Sequence, residues 1–243
     1  MFTLSLPAQA DSFRDLLGER FRGVQASSDR RPPVHHADSL HRWNQIAINA
    51  SGLDHSPVLA DEIRVFGEQV GPGRSSRAMA IVHIAMADAV SAVRGSFKSY
   101  TGVKSSARTI SLDAALSRAA HDTLIVLYPS QAASFDAYLT TELARIRGSK
   151  QEKANGQALG RRTAAAVLAM RTDDGVQKLE PRLGVDHFPS NLAGRWRQDP
   201  ISEVPVALGA YWGECTPLGQ SHDMGNTLQR YVPSVFRSRG RHF

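Results

Sequence analysis

The sequence predicts an all-α protein, a helical bundle of about six helices, on three observations. Apolar residues recur at helical spacing in successive stretches. Capping serines, glycines and prolines punctuate those stretches. No block of alternating or β-branched residues reads as a strand. Short links between the fourth, fifth and sixth stretches imply antiparallel neighbours.

The elements follow in order. Residues 11–24 place Phe13, Leu16, Leu17, Phe21 and Val24 on one side of a first amphipathic helix. "SSDRRPPVHHAD" breaks it, because Pro32 and Pro33 force extended backbone. A second helix is expected from Asp38 or Ser39, with Leu40, Trp43, Ile46, Ala47 and Ala50 together, ending at Gly52. Residues 53–74 carry prolines and glycines without a period and read as a long loop. Ser75 or Ser76 is the expected cap of the third helix, closed by Gly95. That helix is apolar almost all round, the pattern of a buried central helix. The fourth runs from about Ser111 to Tyr128, stopped by Pro129. The fifth opens with Ser130 and carries Phe135, Leu139, Leu143 and Ile146. Gly148 separates it from the sixth, about 150–171, which ends at "DDG". Residues 172–214 show neither period. The expected organisation is therefore an N-terminal segment, 1–37, a bundle domain, 38–214, and an aperiodic arginine-rich tail, 215–243, which would be disordered without a partner.

Composition narrows the function classes. The chain has 243 residues and a net charge of +6, with arginine supplying 24 of 29 basic residues. Those arginines are scattered, so no nucleic-acid partner is expected. A single cysteine, Cys215, excludes an intramolecular disulfide and a cysteine-based zinc site. No apolar run reaches the roughly 18 residues of a membrane span. Ala8-Gln9-Ala10 matches a signal-peptidase pattern, but no basic segment precedes it and the apolar stretch is short. It is either chance or the remnant of a signal peptide, which would place the protein in the periplasm or outside the cell.

Three sets of residues invite a chemical reading. His83, Asp88, His121 and Asp122 lie on expected helices, the residue types that hold a water-activating ion in metal-dependent phosphohydrolases of the HD type. Yet His83 and Asp88 are five apart, so they point about 140° away from each other. Hydrogen-bonded core residues are the plainer reading, and a metal-dependent phosphohydrolase using His83, His121 and Asp122 stands as the rival. His35, His36 and His41 lie in "VHHADSLHRW", which reads as a solvated linker. The terminal "PSVFRSRGRHF" groups serine, arginines and histidine suited to an oxyanion, on a tail without packing to position them.

Across roughly 170 residues the order of segments resembles bacterial vanadium-dependent haloperoxidases of the type 2 phosphatidic acid phosphatase superfamily. The segments are "RWNQIAINA", "GPGRSSRAMAIVHIAMADAVSAV", "AAHDTLIVLYPSQAASFDAYL", "ALGRRTAAAVLAMRTDDG" and "GRWRQDP…ALGAYWGE". The resemblance implies the N-terminal half of a larger all-helical fold, of an enzyme that oxidises halide with peroxide or hydrolyses a phosphomonoester. It implies vanadate or phosphate held in the C-terminal half by lysine and arginines, with a histidine bonded to the anion. The motifs are a lysine followed after six residues by Arg-Pro, then Pro-Ser-Gly-His, then Ser-Arg with a nearby histidine. None occurs here: Arg31-Pro32 lacks the lysine, Pro233-Ser234 leads into Val235-Phe236, and Ser238-Arg239 reaches His242 too soon. The expectation is thus no catalytic, cofactor-binding or metal residue in this chain, and a reading frame shifted or stopped early near Cys215. Expected partners are a second copy or a separate C-terminal half.

Overall fold

The computed structural model describes residues 39–95 and 97–219. The helix expected over 11–24, His35, His36 and the terminal "PSVFRSRGRHF" lie outside them. The described residues form five α-helices: α1 Ser39–Asp54, α2 Pro72–Arg94, α3 Leu112–Leu127, α4 Ala132–Arg145 and α5 Lys150–Met170. Single 3-10 turns lie at Pro129–Gln131 and Trp212–Glu214. Among the described residues there is no strand, only isolated bridges pairing Arg182 with Val206 and Leu183 with His187.

Local chemistry sets the boundaries. Ser111 caps α3, its hydroxyl accepting from Ala114 N at 3.3 Å, and Pro129 stops the helix at Tyr128. α5 opens on a capping box: Glu152 N donates to Ser149 Oγ at 3.1 Å, and Ser149 N to Glu152 Oε2 at 2.7 Å. Three expected boundaries need correction. α2 begins at Pro72, not at Ser75 or Ser76, because proline at the first helical position is already preset for the helix. The two serines instead turn their hydroxyls back to Gly71 O and Gly73 O. α4 begins at Ala132 rather than Ser130, whose backbone N–H and hydroxyl are engaged by Glu68. α1 runs through Gly52 to Asp54, since one glycine costs a helix only about 1 kcal/mol.

Asp54 also corrects the reading of 53–74 as a plain loop. Its buried carboxylate accepts from Glu68 N at 2.7 Å and Gln69 N at 2.9 Å, folding that segment back on the end of α1. Arg64 ties the same segment to the carbonyls of Leu53, Ser56 and Pro57.

α3 is the centre of the bundle and packs on all four other helices. Its Ala114, Ala115, Ala119 and Ala120 are fully buried, letting neighbouring backbones come close. The closest is α5, where a Cβ on Gly156 or Gly160 would run into the carbonyl oxygens of Ser111 and Ala115. Trp43, Ile81, Met86, Leu124, Tyr128 and Phe135 fill the remaining core. Each such side chain contributes about 1.5–3 kcal/mol by leaving water. α2 is long and apolar enough to cross a membrane by length and composition, with half of that window buried in the fold. Packing on α1, α3 and α5 accounts for the buried half.

Candidate functional site

The structure brings together His121 and Asp122 and keeps His83 and Asp88 on separate tasks. His121, on α3, has both ring nitrogens occupied: Nδ1 faces Asp122 Oδ1 at 2.7 Å and Nε2 faces Asp136 Oδ1 at 2.9 Å. Asp136 comes from α4, so the imidazole ties two helices across the Pro129 turn. Arg118 Nε donates to Asp122 from one turn away at 2.9 Å. Burial pushes the Asp122 carboxyl up, but bonds from His121 and Arg118 outweigh it and hold the group below the ordinary aspartate value. With a carboxylate at each ring nitrogen, both nitrogens are engaged within the bundle and neither is open to a metal ion. Asp136 was not singled out from sequence; its signal was placement one helix beyond His121, just past a proline stop.

His83 joins α2 to α1, with Nε2 at 2.9 Å from Asn44 Oδ1 and Nδ1 at 2.7 Å from Met79 O. Asp88 is buried and works as a cap for the chain leaving α2. It accepts from Tyr100 N at 2.6 Å, from Thr101 N at 2.8 Å and from the Thr101 hydroxyl. His41 is exposed on the first turn of α1. A further tie holds α1 to α4: Glu142 accepts from Ser39 Oγ at 2.7 Å and Arg42 Nε at 2.8 Å. Among the described residues, no group of three or more His, Cys, Asp or Glu is placed to hold a metal ion.

The densest buried charge lies elsewhere, at residues sequence reasoning passed over. Arg77 Nε and Arg171 Nε both donate to Asp174 Oδ2, at 2.6 and 2.8 Å. Arg77 stands on the second turn of α2, and Arg171 is the C-cap of α5, where a cation suits the carbonyl end of the helix. Burial raises the Asp174 carboxyl, yet its bond to Arg77 and the two guanidinium charges hold it below the ordinary value. Arg77 lies one helical turn before buried Ile81 and in line with it, a register at which arginine is unusual. That was the available signal.

Beside this triad lies a cavity of about 200 Å³, walled by Arg77, Arg171, Trp212, Gly213 and residues 215–218. Residues 214–217 are held against the end of α5. Thr216 N donates to Asp174 O at 2.8 Å, and Arg171 reaches Thr216 O. Gly175, at φ 93°, makes the approach possible: a Cβ there would sit 3.0 Å from Glu214 O. Comparison of the chain with protein-family models, with curated proteins and with solved structures finds no match in any of the three.

Proposed function

We propose that this chain is the helical platform of a vanadium-haloperoxidase- or acid-phosphatase-like protein, and that a second segment carrying the oxyanion-holding motifs supplies the chemistry. The observation that supports this reading is the surface of residues 179–212. Nine large apolar side chains are exposed there, among them Leu179, Phe188, Leu192 and Ile201. Apolar surface of that extent is what a helical platform would bury against a partner segment. The polar residues of the helices are meanwhile engaged in holding the bundle: His83, Asp88 and His121 each bond within or between its elements. Lysine-to-Arg-Pro, Pro-Ser-Gly-His and the terminal Ser-Arg-to-histidine motifs are absent from the sequence.

Assays of the purified chain with vanadate, peroxide and bromide, and separately with a phosphate ester, are expected to stay at background. Turnover well above background refutes the division of labour. The DNA beyond codon 243 provides the second arm: a Pro-Ser-Gly-His motif in any frame supports the family reading, and none in any frame removes it. Mass measurement in solution separates the occupants of the apolar face, since a stable dimer would assign that face to a second copy.

A further inference from the structure

The Arg77–Asp174–Arg171 triad is unbalanced. Two guanidinium groups, with side chains 8% and 4% exposed, share one carboxylate that is 1% exposed. Among the described residues one positive charge is therefore left over on side chains that are almost wholly buried. Backbone carbonyls take up part of the excess: Arg77 Nη2 donates to Arg171 O at 2.8 Å, and Arg171 Nη1 to Pro217 O at 3.5 Å. Arg77 Nη1 makes no hydrogen bond to any described residue. A buried charge without a counter-ion is costly, and a single anion placed beside it removes that cost.

The cavity of about 200 Å³ opens where such an anion would sit, on the two arginines. Its other walls are mostly apolar, supplied by Trp212, Pro217 and Leu218. Size and chemistry together select the ligand class. A dry cavity of about 150 Å³ is known to take a benzene-sized molecule. A guanidinium pair favours a planar carboxylate, gripped by two parallel N–H groups. The apolar walls favour a hydrocarbon body behind it over a hydrated inorganic ion.

We propose that this cavity binds a small organic monocarboxylate, its charge on Arg77 and Arg171 and its apolar body against Trp212 and Leu218. The site is built from residues 77–218 and does not rest on the family reading above.

The probe is benzoate, with benzamide as its uncharged counterpart and inorganic phosphate as the tetrahedral anion. Calorimetric titration of the full chain is expected to show one saturable benzoate site, with benzamide weaker by at least about tenfold. Cys215 lines the cavity and is the chain's single cysteine, so its alkylation rate gives an independent readout. Saturating benzoate should slow that alkylation, and benzamide at equal concentration should not. Arg77→Gln should weaken benzoate by at least about tenfold, with Arg77→Lys in between because it keeps the charge and loses the fork. If Arg77→Gln fails to fold, the benzoate-to-benzamide ratio and the Cys215 protection of the natural chain decide. No saturable benzoate binding below about 10 mM, a weak interaction by any standard, overturns the proposal. So does equal binding of benzamide, phosphate binding in place of benzoate, or full benzoate affinity in a folded Arg77→Gln.

Discussion

The five helices bury most of their large apolar side chains against one another; the segment from Arg171 to Gly219 leaves most of its own in water. Trp43, Leu124 and Phe135 have almost no exposed surface, whereas Leu179 is 85% and Phe188 73% exposed. The helices are held by close packing of alanine and glycine faces, and the later segment by ionic and backbone bonds. Arg77 and Arg171 hold Asp174, Leu183 N donates to Pro205 O at 2.9 Å, and Ala207 N to Pro181 O at 2.8 Å. A helix can bury its stripe against another helix of the same chain. A stretch without a period has no stripe to offer, so its apolar residues need a surface from outside. The two regions should therefore fail in different ways.

The largest effect is expected from Trp43→Ala. The indole is fully buried in the main core, edge-on to His121 with ring centres 6.3 Å apart, and its Nε1 has no hydrogen-bond partner. Its loss is thus a loss of packing alone, about 3–5 kcal/mol. Urea denaturation should show the whole chain unfolding earlier, helices and segment together. Unfolding of the segment with the helices intact would mean the two regions are not ranked as described.

Asp174→Asn cuts the other way. The change keeps the shape and removes the charge that both arginines share, at a cost of about 1.5–3 kcal/mol. Helical circular dichroism should persist while trypsin cuts faster at Lys178, Arg182, Arg195 and Arg197. Equal sensitivity of all regions would contradict a segment docked by charge. Acid does the same without mutation. The Asp174 carboxyl lies below its ordinary 3.8 in the folded chain, so its contribution is complete above that value and fades as the pH falls below it. Glu142, also held below its ordinary 4.5, loosens α1 from α4 in the same direction.

The contrast also explains what the sequence made legible. Helices α1 to α5 were readable because each carries its own period and its own stop, such as Pro129 or Gly95. The start of α2 was misplaced because serine is a strong cap signal, while Gly71-Pro72 resembles a loop until proline is seen as the first helical residue. Asp54 and Arg77 were missed for another reason. Their partners lie 14 and 97 positions away, at Glu68 and Asp174, and pairing across such distances leaves no local pattern. Of the residues singled out, His121 and Asp122 do meet, but the third member of their cluster, Asp136, becomes visible only once α3 and α4 are folded together.

The smallest expected effect tests whether ionic bonds in the later segment matter wherever they occur. Arg182 and Asp186 form an ion pair at 3.1 Å with side chains 66% and 46% exposed. Arg182 Nε donates to that carboxylate, and so does Arg182 N at 3.2 Å. The Asp186 carboxyl is lowered first by the side-chain bond and then by the backbone one. Water surrounds the pair, so its charges are screened and its geometry is bought with side-chain entropy. Arg182→Ala leaves the backbone N–H in place, and Asp186 keeps one of its two donors. The urea midpoint is expected to stay where it is, with tryptic cleavage at Lys178, Arg195 and Arg197 unchanged. If Arg182→Ala instead released the segment as Asp174→Asn does, docking would depend on the exposed turn at 182–187 and not on the buried triad. The division between a packed body and a segment docked through the buried triad would then have to be redrawn.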